Sequence, residues 1–159
     1  MRNFARRFMW SSLLIALLSM VFLVSTNTAS AHATTADSSS SLVGTWTLQV
    51  ILPAPYAPQQ QVVTFYSNHT LTSPPVTVNG LTHGTAYGVW LQSDNHISFV
   101  IVVPEYSDPQ QTHQVDTVVG QQSGTIDGDT FTCQGTGTVI GLNGNVLGTL
   151  SVQISATRN

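Results

Sequence analysis

From Leu42 to the C-terminus the chain alternates apolar and polar residues with period two and nowhere holds the three-to-four spacing of a helix. Trp46, Leu48, Val50 and Leu52 fall on one face of a first strand, with Thr45, Thr47 and Gln49 on the other. "PAPYAP" then ends that strand, because proline has no N–H to give to a ladder. "QVVTFYS" follows, and "SNH" turns it into a short "TLTS" piece that Pro74-Pro75 interrupts, leaving an edge or a mouth loop. "TAYGVWLQ" and "HISFVIVVP" make the clearest hairpin, joined through Ser93-Asp94-Asn95. The last three strands, "THQVDTVVGQQSGTI", "DTFTCQGTGTVIG" and "NVLGTLSVQISATR", meet at Asp127-Gly128 and Asn143-Gly144, dipeptides that supply the positive φ of two-residue hairpins.

About eight strands in up-and-down order result. With no helix to cover a sheet face, they must close on themselves or stack on a second sheet. Gly-Thr pairs at 44, 84, 124, 135, 137 and 148 put glycine inside strands, where it permits the bending that closure demands. The expected fold is all-β, an antiparallel up-and-down barrel of about eight strands preceded by a signal peptide.

Residues 1–33 read as that signal. Arg2, Arg6 and Arg7 lead, the stretch from Leu13 to Val24 is mostly apolar, and Ala31-His32-Ala33 is a small-x-small cleavage pattern. The apolar stretch is shorter than the roughly 20 residues a membrane span needs. Residues 34–41, "TTADSSSS", read as a disordered linker, and 42–159 as the barrel domain. The expected location is secreted or extracellular, in a bacterium.

Cleavage would change the charge balance. Beyond residue 33, Arg158 is the only Lys or Arg and faces seven carboxylates, a formal charge of −6. Nucleic acid and anionic membrane surfaces both require clustered basic side chains, so neither is an expected partner. Cys133 is the single cysteine, which excludes an internal disulfide and leaves the apolar core to hold the fold.

Gly44-Thr45-Trp46 at the start of the first strand resembles the Gly-x-Trp signature of the calycin superfamily, which includes lipocalins and avidins. That resemblance implies a tryptophan plugging the closed end of a barrel, with an arginine of the last strand packed across it. Trp46 and Arg158 match those roles, and a guanidinium over an indole contributes roughly 0.5–2 kcal/mol. The turn "FYSNHTL", the strand "YGVW" and the ending "GDTFTCQGTGTV…GNVLGT" also resemble a group of small exported bacterial β-barrel proteins of unknown function. A more distant architectural comparison is with the allene oxide cyclase and dirigent barrels, whose pockets steer small hydrophobic substrates.

Chemistry is sparse at this level. His69, His83, His96 and His113 form no close-spaced ligand pair, so neither metal nor cofactor is expected. His83 reads as a solvated turn residue, and Asp116 as a water-facing strand residue that cannot share a face with His113 three positions earlier. No catalytic constellation can be assembled from spacing, so no catalytic residue is assigned. Cys133 reads as a buried, inert thiol.

The expected function is therefore a secreted binder of a small apolar or amphipathic molecule in the barrel lumen. Tyr87, Val89, Phe99, Ile101 and Phe131 are the expected contacts, with Tyr66 and His113 as polar groups near the mouth. Two alternatives stay open. One is a non-catalytic extracellular structural or interaction protein with a filled core. The other is a cyclase- or dirigent-like barrel enzyme assisted by Glu105 or Asp116. Eight strands enclose either a filled interior or room for one small ligand.

Overall fold

The computed structural model describes residues 40–159. The expected signal peptide and all of the expected linker except Ser40 and Ser41 lie outside the described residues. Strand β1 (Gly44–Ile51) pairs with β2 (Gln59–Phe65), which pairs with β3 (Thr70–Ser73). Two short strands, β4 (Val76–Val78) and β5 (Leu81–His83), follow before β6 (Ala86–Ser93), which pairs with both β3 and β7 (His96–Tyr106). The long strands β8 (Gln114–Asp127), β9 (Thr130–Gly141) and β10 (Val146–Arg158) complete the ring, and β10 returns to β1. Every pairing is antiparallel. Eight strands, β1, β2, β3 and β6 to β10, close an up-and-down barrel.

The remaining pair, β4 and β5, extends β3 and β6 beyond the ring as a hairpin. Its turn is Asn79-Gly80, with φ of 53° and 82°, the double positive φ of a tight two-residue turn. Pro74-Pro75 therefore marks a break between β3 and β4, and the region is a hairpin rather than a bare loop. β5 docks on the end of β7, with Thr82 opposite Tyr106 and His83 opposite Glu105. The Asn143-Gly144 connection also differs from expectation. It is a four-residue loop from Leu142 to Asn145 in which only Gly144 has positive φ.

One end of the barrel is packed shut. Trp46, Phe65, Phe131, Leu42, Leu71 and Val63 are essentially without exposure. Trp46 and Phe131 sit with ring centroids 5.0 Å apart, and Phe65 meets Trp90, Phe99 and Phe131 edge-to-face at 5.6–6.2 Å, the arrangement that ring quadrupoles favour. The indole Nε1 of Trp46 donates to the Leu42 carbonyl at 2.8 Å, so its polar atom is satisfied inside the plug.

Arg158 lies over the Trp46 ring, its guanidinium carbon 4.3 Å from the ring centroid. The same guanidinium donates to the carbonyls of Val43 and Ser41 and to Asp129 Oδ1. Gly44 is required beside it: its φ is 137°, and a Cβ there would stand 2.7 Å from Arg158 Nη1. The Gly-x-Trp stretch thus has two physical tasks, passage for the arginine and a flat ring beneath it. Ser40 also reaches the barrel, its Oγ accepting from the Gly128 N–H at 2.8 Å.

Candidate functional site

Away from the plug, the lumen opens into a cavity of about 540 Å3. Its walls are aliphatic, with Leu48, Val50, Val103, Val118, Val152 and Ile154 among them, and Phe99 and Ile101 reach in from β7. Space for it comes partly from missing side chains. Gly120 and Gly137 are direct cross-strand partners on β8 and β9, and both face the cavity. A Cβ on Gly137 would meet its neighbours at ordinary distances of 3.5 and 3.6 Å, so the backbone does not require glycine there.

Near the mouth the wall becomes polar. His83 of β5, Glu105 of β7 and Asp116 of β8 all turn inward and line the cavity. Glu105 stands directly opposite both His83 and Asp116 in its two ladders, which is how three strands deliver one cluster. His83 Nε2 is 3.2 Å from Glu105 Oε1, and the two side chains are 14% and 9% exposed. Gln61 Nε2 approaches His83 Nδ1 at 3.5 Å. With the Gln61 amide as donor, His83 carries its proton on Nε2 and gives it to Glu105.

Electrostatics fixes the remaining proton. Burial first, then the hydrogen bond to Asp116 and the charge of Asp116, push the Glu105 carboxyl up to about 8. Burial holds His83 below the usual histidine range, against the opposing pull of Asp116. At neutral pH the set is therefore a neutral imidazole and a protonated Glu105 beside Asp116. The donors run in one direction, Gln61 to His83 to Glu105 to Asp116. Asp116 Oδ1 is left buried without a partner, and so is Gln122 Oε1 deeper in the same cavity.

The structure distributes the expected contact residues differently. Phe99 and Ile101 line the cavity. Tyr87 and Val89 do not: each is 58% exposed on the outer face of β6, because Ala86, Gly88 and Trp90 take the inward phase. Phe131 points inward but belongs to the plug against Trp46. Tyr66 is exposed on the outside beside the plug, its hydroxyl 3.1 Å from Thr72 Oγ1. His113 sits in the β7–β8 connection, 79% exposed and held by Asp108 at 3.2 Å. It is turned to solvent rather than into the lumen.

Two residues expected in water are instead functional candidates. Asp116 shares its strand face with Val118, Gly120 and Gln122, which is the inner face. The signal was present: the tight turn sets Ile126 opposite Phe131, and counting back by twos from Ile126 reaches Asp116. His83 gave no comparable signal, since its strand becomes visible only once the Asn79-Gly80 turn is recognised. Among the described residues, no group of three or more His, Cys, Asp or Glu side chains is disposed to hold a metal ion. Cys133 is buried in the core, where desolvation pushes its thiol up to about 12.

Comparison with known families, curated proteins and solved structures finds no match for the chain.

Proposed function

We propose that this protein is a secreted, calycin-like carrier that holds one small apolar or amphipathic molecule in its lumen. The observation that carries this reading is the 540 Å3 cavity with aliphatic walls and a few polar groups gathered near one end. Its volume and lining are those of a small-ligand site. The Gly-x-Trp stretch with Arg158 stacked on Trp46 supports the calycin likeness. A filled-core structural protein has no use for such space.

Native mass spectrometry of the protein purified from its secreting host tests the reading. A discrete added mass supports it. A bare mass that persists after incubation with a lipid and metabolite library overturns it.

One observation favours a second reading, a barrel enzyme of the cyclase or dirigent kind. A carboxyl that stays protonated at neutral pH inside an apolar lumen is suited to general acid work. Turnover of a bound hydrophobic substrate that is lost in Glu105→Gln, with binding retained, would establish it.

A further inference from the structure

The polar end of the cavity has a chemical polarity of its own. Its titratable side chains are His83 from β5, Glu105 from β7, Asp116 from β8 and Tyr56 from the segment before β2. None is a fixed cation. Arg158, the only Lys or Arg among the described residues, is committed at the plug to Trp46, Asp129 and two carbonyls. A ligand carboxylate or phosphate would find no counter-charge there.

Two buried oxygens of the cavity wall also lack donors. Asp116 ends the relay from Gln61, and its Oδ1 has no donor. Gln122 is 5% exposed and faces the same cavity; its Nε2 donates to the Thr136 carbonyl at 3.3 Å while Oε1 has no partner. An unpaired buried acceptor costs about 1–3 kcal/mol, so the mouth beside Asp116 is where a donor brought from outside contributes most. The six residue steps from Asp116 to Gln122 span roughly 20 Å of strand, with aliphatic wall between.

We propose that the lumen selects an amphipathic primary amine, its ammonium group held by Asp116 and Glu105 at the mouth and its apolar body directed along the cavity toward Gln122. This rests on the lumen being a ligand site. An ammonium supplies three N–H donors and one positive charge, which pair with the Asp116 carboxyl group and draw a carboxylate from Glu105. Glu105 then releases its proton to solvent, because burial keeps His83 from accepting it. Amine binding is accordingly accompanied by proton release, and its affinity rises with pH from 6.5 to 8.5.

Titration calorimetry of the purified protein with octylamine, octanol and octanoate, in buffers of differing ionisation enthalpy, tests this. The expected result is octylamine tighter than octanol by about tenfold or more, the difference expected of charge-assisted hydrogen bonds, with octanoate weakest. Proton release accompanies octylamine alone, and in Asp116→Asn the amine-to-alcohol affinity ratio falls to about one, with near-UV circular dichroism reporting the fold. Octanol or octanoate binding as tightly as octylamine overturns the amine proposal and leaves the lumen reading standing. If none of the three binds, both fall.

Discussion

The carboxyl groups of Glu105 and Asp116 face each other across the β7–β8 ladder, both turned into the barrel. Two acids in that position cannot both be charged without repelling, and the apolar wall favours the neutral form of one. That pairing gives the cavity a charged point and a neutral donor side by side.

It also makes stability depend on pH. Glu105 has a folded value of about 8 against an ordinary 4.5 in the unfolded chain. Its contribution is complete below 4.5 and is lost as pH rises through about 8. Between pH 6.5 and 8.5 urea unfolding should show a loss of about 1–2 kcal/mol. Glu105→Gln should flatten that slope, and an unchanged slope in the variant would assign the effect elsewhere.

The arginine at the plug acts by shape as well as charge. Arg158→Lys keeps the charge but cannot lie flat on Trp46 while donating to Asp129, Val43 and Ser41. A loss of about 1–3 kcal/mol in urea unfolding is expected. Gly44→Ala should destabilise comparably, since its Cβ would press on the guanidinium. Either substitution proving neutral would show that the plug holds without the stack.

Cavity room and barrel stability should separate at Gly137. Gly137→Leu places a side chain in the lumen without a backbone clash. Binding of any lumen ligand should fall by at least about tenfold, while the unfolding midpoint stays close to the parent's. Phe131→Ala, by contrast, removes a plug residue and should cost about 3–5 kcal/mol.

Cys133 should be inert. With its thiol buried and pushed up to about 12, it should resist a disulfide reagent at pH 8 in the native protein and react promptly in urea. Fast native labelling would mean that β9 opens locally.

Much of the barrel could be read from alternation and turns. Period two, proline breaks and the Asp127-Gly128 dipeptide placed the eight staves, because turn chemistry and pleat are local properties of the backbone. Phase was harder. On β6 the larger residues Tyr87, Val89 and Leu91 point outward while Gly88 points in, opposite to what side-chain size suggests. The inner face there is set by Trp90, whose indole donates to the Tyr66 and Thr70 carbonyls.

What the residue string determined by itself was the all-β class and the order of the staves, both carried by local pattern, while the Trp46–Arg158 relation was implied by the resemblance of the Gly-x-Trp stretch. Only the tertiary structure decided which titratable groups share the lumen. His83, Glu105 and Asp116 lie on three strands, and their meeting depends on the register of two ladders. Register is a property of closure, fixed when all eight strands must pair at once, and no short stretch of sequence contains it.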